Sequence, residues 1–167
     1  RWLYDGELCH KNKQIFDALL KDYNGSLVEV LRHVQVERYY ISRRYRVGAV
    51  TVGPEVTVDA GERQVTADRS LASLPTSLQA TTLFEAHGQL IEANGGVIEF
   101  SDMLKRPLDA FRYLQTTLET QTVSLAQQNV ATNMVAIGSA NEVHMNAFRE
   151  HPEYASFQGR LELLRVP

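Results

Sequence analysis

Features common in secreted and membrane proteins are scarce in this 167-residue sequence. It has one cysteine, Cys9, which can form no internal disulfide, so we expect a reducing compartment such as the cytoplasm. No apolar run approaches the roughly 18–20 residues that a membrane span needs. No signal peptide opens the chain. We therefore expect a cytoplasmic protein that does not engage a membrane.

Charge of one sign is also lacking. The net charge is −3, which is too small to imply a polyanionic partner or a membrane surface. Hydrophobic residues make up 44 % of the chain and charged residues 22 %, as in ordinary globular proteins. This length and composition allow a domain with a real hydrophobic core.

The first half of the chain mixes helical and β-type patterns. Apolar residues at helical spacing predict a helix at 12–23, which Asn24-Gly25 would end, and a short helix near 27–31. Residues 34–41 and 47–52 are rich in β-branched and aromatic side chains and predict strands, conceivably a hairpin. A polar, loop-like stretch is predicted at 53–70.

The second half alternates predicted strands and helices, which favours a parallel α/β sheet. We expect strands at 97–101, 134–139 and 161–166 to be neighbours in that sheet, with helices at 76–88, 107–118 and 142–150 and a strand or inserted hairpin at 123–125. The chain then divides into a helical segment at 1–32, a β-rich and loop segment at 33–94, and an α/β core portion at 95–167. Both termini have the character of fragment boundaries.

An acid follows the first of these strands. Asp102 would lie at the carboxyl end of a parallel strand, where doubly wound sheets bind ligands. A carboxylate there can hold Mg²⁺ through water or orient an attacking water. Glu99 and Ser101 share one strand face, and Glu99 is costly to bury without a partner. The alternative is an edge strand with Glu99 in solvent.

Two further polar residues have similar positions. Asn141 follows the strand at 134–139, where its amide could contact a γ-phosphate or a water; the alternative is a turn asparagine that caps the next helix. Arg160 precedes the strand at 161–166, where its guanidinium could reach the nucleotide of a neighbouring subunit. The alternative for Arg160 is an ordinary surface arginine.

The order of these elements resembles the AAA+ core. Over about residues 33–167 the amino-acid sequence is similar to the ATPase domain of the PrkA-type serine protein kinases. The matching strings lie at 36–46, 99–108, 138–142 and 160–167. The resemblance implies a partial P-loop NTPase fold, here with an additional N-terminal α+β segment. It also implies ATP and Mg²⁺ as cofactors.

The resemblance assigns roles to individual residues. Asp102 matches the catalytic acid of the Walker B strand, Asn141 the sensor position, and Arg160 the arginine finger. Ser101 occupies the place where most AAA+ proteins carry the first aspartate of the Walker B motif, the usual metal ligand. From strand alternation we infer that Glu99 joins Asp102 at the metal, while the competing account pairs Glu99 with Arg43 or Arg44.

One part of the family pattern is missing. The sequence contains no Gly-x-x-x-x-Gly-Lys-Ser/Thr, the loop that cradles phosphates, and in the family that loop would precede Arg1. No protein-kinase signature is present either. We expect the parent protein to hydrolyse ATP, coupled to phosphorylation or remodelling of a protein substrate, and to form a homo-oligomer. The 167-residue chain alone should be inactive.

Other readings remain open from the sequence. The chain could be a non-catalytic module for ring assembly or partner binding. The arginines and tyrosines at 38–46 could bind a nucleic-acid backbone, but the acidic balance of the chain argues against that partner. Cys9, His10 and His33 lack the spacing of a zinc site.

Overall fold

The computed structural model describes residues 8–36, 38–55, 60–65, 75–79, 81–107 and 111–166. The chain divides into two compact units, each made of separated stretches. The first comprises Arg1–Tyr39, Gly61–His87 and Ser124–Val130, and the second comprises Tyr40–Ala60, Gly88–Val123 and Ala131–Pro167. The division at 1–32, 33–94 and 95–167 stays a prediction.

The described residues contain short helices and strands. The helices are α1 (His10–Asp22), α2 (Leu27–Leu31), α3 (Thr76–Gln79), α4 (Gln89–Glu92), α5 (Arg112–Thr120), α6 (Glu142–Glu150) and α7 (Tyr154–Gln158), with a 3-10 turn at Met103–Lys105. The strands are β1 (Ala49–Val52), β2 (Gly61–Gln64), β3 (Phe84–His87), β4 (Val97–Phe100), β5 (Thr122–Ser124), β6 (Asn129–Ala131) and β7 (Val135–Gly138).

The first unit combines helices with an antiparallel strand pair. Helices α1 and α2 confirm the two helices predicted near its start, and they bury Leu19 and Val30. Strand β2 pairs with β3, from Gly61 opposite His87 to Gln64 opposite Phe84. The predicted helix at 76–88 was therefore wrong beyond Gln79, because pairing with a distant strand overrides local helix propensity. The same strand pair places β2 inside the predicted loop at 53–70.

The second unit is built on a parallel three-stranded sheet in the order β1-β4-β7. Ala49 pairs with Val97 at one end of β1 and β4, and Phe100 pairs with Gly138 at the far end of β4 and β7. Ile98 and Phe100 are buried on one face of the sheet, and Phe100 meets the ring of Phe111 edge-on at 5.6 Å. This confirms the predicted α/β fold with a parallel sheet and flanking helices.

Two predicted strands are absent from the described residues. The stretch 34–41 forms no strand where it is described, and five of its apolar side chains are exposed. The stretch 161–166 is irregular, with Leu163 and Leu164 exposed, so it does not join the sheet. Strand β1 takes the third place instead. An apolar run predicts a strand only where a partner strand is available.

Several predictions in the second half are confirmed. Strand β7 and helix α6 lie where they were predicted, and β5 and β6 form a two-stranded sheet where a strand or hairpin was expected. In β7, Val135 and Ile137 are 60 % and 53 % exposed. Helix α5 begins at Arg112, and residues 108–110 lie outside the described part. Among the described helices, none has the length and apolar character required to cross a bilayer.

Candidate functional site

The carboxyl ends of β4 and β7 bring two sequence-predicted residues to one edge of the sheet. Because the strands are parallel and Phe100 lies opposite Gly138, the chain segments that leave them start side by side. The N–H of Ser139 donates to the carbonyl of Phe100 at 2.9 Å and extends this pairing. Asp102 and Asn141 follow on these two segments.

Asp102 has an unusual backbone conformation. Its φ of 50° and ψ of 45° place it in the left-handed region, which non-glycine residues seldom adopt. Its N–H donates to the hydroxyl oxygen of Ser139 at 3.3 Å, and the next N–H, of Met103, donates to the carbonyl of Ser139 at 2.8 Å. The Asp102 carboxylate is 39 % exposed and pairs with Lys105 at 2.9 Å. Its backbone is therefore anchored to Ser139, while its carboxylate is partly exposed and paired with Lys105.

Asn141 stands at the N-cap position of α6. Its backbone is extended, with φ −78° and ψ 137°, yet its side chain makes no capping hydrogen bond. Asn141 therefore has the N-cap position that the capping alternative requires, but it does not make the side-chain hydrogen bond of an N-cap. Asn141 is exposed and lies on the segment that leaves β7 at the same edge of the sheet as Asp102.

Glu99 lies on a face of the sheet and not at its edge. Its carboxylate accepts the Thr51 hydroxyl at 2.8 Å and lies 3.8 Å from the guanidinium of Arg43, with 41 % of its side chain exposed. These contacts favour the competing account, in which Glu99 pairs with an arginine. Ser101, the next residue on that face, donates its backbone N–H to the Val52 carbonyl at 2.9 Å. A metal-binding role for Glu99 stays a prediction.

Arg160 is held within its own chain. Its guanidinium donates to Glu119, with the shorter bond at 2.9 Å, and to the Ser156 carbonyl at 2.7 Å. Arg160 follows helix α7 and precedes an irregular stretch, not the strand that was predicted. It is not brought to Asp102 by any described contact. Its role as a finger toward a neighbouring subunit stays a prediction.

The arginine-rich stretch forms a turn on the same sheet unit. Ser42 and Val47 pair across it, Arg46 lies 2.9 Å from Glu92, and Arg44 stacks over the ring of Tyr45. Arg46 and Arg43 thus lie close to acidic residues of the same chain, Glu92 and Glu99.

The donors at the edge can be tested against the chemistry of Mg²⁺. Within the described part of the chain, no group of three or more His, Cys, Asp or Glu side chains could hold a metal ion. Magnesium in nucleotide sites usually needs only one or two carboxylates, with substrate phosphates and water as the other ligands. The partly exposed carboxylate of Asp102 therefore suits a magnesium–nucleotide complex better than a metal site built from protein alone.

Sequence reasoning missed the contacts made by Ser139, Thr51 and Glu119. Ser139 belongs to the family-like segment at 138–142, but in that segment the predicted role was assigned to Asn141, two residues later. Thr51 and Glu119 carry no local signal, because each acts on a residue more than forty positions away. Only the observed register between β1 and β4 places Thr51 opposite Glu99.

The sheet is parallel and carries polar side chains at its carboxyl edge, where open α/β sheets bind their ligands. The family model of the PrkA AAA domain matches residues 2–167, and the chain belongs to this family. The expected resemblance to a PrkA-type AAA domain is thereby confirmed. A comparison with curated proteins gave no match.

Proposed function

We propose that this chain is part of an ATP-hydrolysing AAA+ domain that binds magnesium–ATP at the carboxyl edge of the sheet. The observation that supports this most is the pair Asp102 and Asn141, which follow the ends of adjacent parallel strands in a PrkA AAA domain. Ligands of doubly wound sheets bind at this edge.

Each residue has a role that its position allows. The Asp102 carboxylate accepts a hydrogen bond from the attacking water and orients it, while its negative charge favours a nearby cation. The exposed amide of Asn141 donates toward a terminal phosphate oxygen. When bound, Mg²⁺ neutralises the charge that develops on the phosphates. Of the two acids predicted at the metal, Asp102 is the one that lies beyond the strand end.

Phosphate binding would need a further segment of chain. The sequence has no glycine-rich phosphate loop, and among the described strands of this sheet β1 and β7 each have a neighbour on one side alone. Parallel sheets are normally covered on both faces, whereas Val135 and Ile137 of β7 are largely exposed. We propose that additional chain in the natural polypeptide pairs with β7, covers this face and supplies the loop.

The assembly of the protein and the activity coupled to ATP hydrolysis are proposed from the family resemblance. In this proposal the natural polypeptide is a cytoplasmic homo-oligomer in which Arg160 stabilises phosphoryl charge in the neighbouring subunit. ATP hydrolysis is then coupled to phosphorylation or remodelling of a protein substrate. Because no described residue forms a protein-kinase motif, transfer of phosphate to serine is the weaker part of the proposal.

A direct experiment compares the natural full-length polypeptide with the 167-residue chain. Calorimetry should give micromolar binding of magnesium–ATP by the full-length protein and weak or no binding by the chain alone. Release of labelled phosphate reports hydrolysis, and label on protein serine reports kinase activity. Failure of the full-length protein to bind ATP would refute the proposal.

A second candidate is a non-catalytic assembly module. The observation that favours it is that Arg160 is already bound to Glu119 and the Ser156 carbonyl, as a structural arginine would be. This candidate predicts an oligomer that forms without nucleotide and hydrolyses none. Sedimentation with and without magnesium–ATP, alongside the phosphate-release assay, separates the two functions.

A further inference from the structure

Ser139 makes three hydrogen bonds across the ends of β4 and β7. Its N–H donates to the Phe100 carbonyl at 2.9 Å, its hydroxyl oxygen accepts the Asp102 N–H at 3.3 Å, and its carbonyl accepts the Met103 N–H at 2.8 Å. The first and third use backbone atoms that every residue has. The second uses the side chain and is specific to a hydroxyl.

The residue that this hydroxyl contacts is the one whose backbone is strained. Left-handed φ and ψ at a non-glycine residue cost free energy and persist only when the surroundings hold them. The Asp102 N–H would lack that side-chain acceptor if Ser139 were alanine. The hydroxyl therefore helps to hold the turn that aims the Asp102 carboxylate.

Close packing beside Ser139 supports the same turn. A Cβ added to Gly138 would lie 2.7 Å from Sδ of Met103, so the glycine lets the Met103 side chain sit directly against the end of β7. Met103 itself is buried. The Asp102–Met103 turn is thus held from β7 by a hydroxyl, a carbonyl and a side-chain contact.

We propose that Ser139 is a positioning residue, whose hydroxyl holds the backbone of Asp102 so that the carboxylate faces the attacking water. This inference rests on the proposed ATPase function, and it links the segments that carry Asp102 and Asn141. In this proposal Ser139 acts through Asp102 and contacts no reacting group itself. Its effect should therefore fall on the rate of hydrolysis and not on ATP binding.

The first test needs no nucleotide. In the nucleotide-free full-length polypeptide, Ser139→Ala should raise the hydrogen-exchange rate of the Asp102 amide about five- to tenfold, the effect of losing one net hydrogen bond. The Met103 amide, whose acceptor is a backbone carbonyl, should keep its rate. Ser139→Thr retains the hydroxyl and should exchange like wild type, as should the control Ser124→Ala, which changes an exposed serine of β5.

The second test uses the full-length polypeptide. Ser139→Ala should lower kcat for ATP hydrolysis roughly three- to tenfold with KM for ATP unchanged, and Ser139→Thr should restore most of the rate. An unchanged Asp102 amide, an unchanged kcat, or a rise in KM alone would each overturn the role of Ser139 while wild-type hydrolysis still upholds the ATPase function. A wild-type protein without hydrolysis would overturn both.

Discussion

Thr51 and Glu99 face each other across β1 and β4, and the Thr51 hydroxyl donates to the Glu99 carboxylate at 2.8 Å. Arg43 approaches the same carboxylate at 3.8 Å. A carboxylate with these partners is already satisfied on the face of the sheet. Glu99 thus has its partners within the sheet, whereas Asp102 follows the carboxyl end of β4.

Glu99→Gln should leave the protein folded, with the free energy of unfolding lowered by less than about 1 kcal/mol, because the ion pair is partly exposed and glutamine still accepts from Thr51. Urea unfolding of the 167-residue chain measures this change, and Thr51→Val is the matched control for the hydroxyl. In the full-length protein, hydrolysis should not depend on extra Mg²⁺. Loss of activity that added Mg²⁺ restores would instead establish the predicted metal role.

The sequence was sufficient for the elements whose signals are local. The apolar strand before Asp102, the strand before Ser139 and helix α6 were predicted because periodicity and turn residues mark them. Their parallel pairing followed from the alternation of strands and helices. The sequence therefore predicted that Asp102 and Asn141 follow neighbouring strands at the same edge of the sheet, although their roles stay predictions.

Pairing between distant segments could not be predicted. The runs at 34–41 and 161–166 have stronger β-type composition than β2 at Gly61–Gln64, yet β2 is the one that forms a strand, through its pairing with β3. The contact from Arg160 to Glu119 spans 41 positions and has no local signature. Such choices depend on which partner each segment meets, and composition does not encode that partner.

Gly96 lies against the backbone of Gly48. A Cβ at Gly96 would overlap the Gly48 carbonyl oxygen, which also accepts the Val97 N–H at 2.9 Å. Gly96→Ala must therefore separate β1 from β4, and it should destabilise the protein by about 2–3 kcal/mol or more. The control is Gly53→Ala, since nothing lies within 4 Å of a Cβ there. Equal urea midpoints for the two variants would contradict this account of the sheet.

Glu85 should make the first unit sensitive to acid. Hydrogen bonds from Lys11 and Arg63, each at 2.7 Å, lower the pKa of the Glu85 carboxyl, more than its partial burial raises it. A pKa lowered in the folded state adds stability above the ordinary glutamate value, and that stability is lost as pH falls through the folded-state pKa. The unfolding free energy of wild type should thus exceed that of Glu85→Gln near neutral pH.

The difference in unfolding free energy between wild type and Glu85→Gln should shrink steadily as the pH is lowered below the ordinary pKa range of glutamate. Urea unfolding at a series of pH values measures it, with Glu55→Gln, at an exposed glutamate, as the control. A difference that stays constant with pH would show that the Lys11 and Arg63 contacts do not favour the charged carboxylate.

Arg160→Ala in the full-length protein should leave ATP binding nearly intact and lower hydrolysis by on the order of 10³-fold, the size of arginine-finger effects. Glu119→Gln is the matched control, because it removes the negative charge that pairs with Arg160 and leaves Arg160 itself in place. If Arg160 acts on a neighbour, Glu119→Gln should retain hydrolysis. Mixing Arg160→Ala with Asp102→Asn should then restore part of the activity, since each subunit supplies what the other lacks. Equal losses of stability in the Arg160 and Glu119 variants, with no rescue, would make Arg160 structural.

The most direct measurement is phosphate release by full-length protein that carries Asp102→Asn, with ATP binding measured in parallel. Asparagine keeps the size and the backbone contacts of the turn but removes the charge that orients water. The account predicts ATP affinity within about threefold of wild type and hydrolysis reduced by at least about 10²-fold, as expected for loss of a residue that acts in the transition state. Hydrolysis at the wild-type rate would contradict the assignment of Asp102 and, with it, the proposed site.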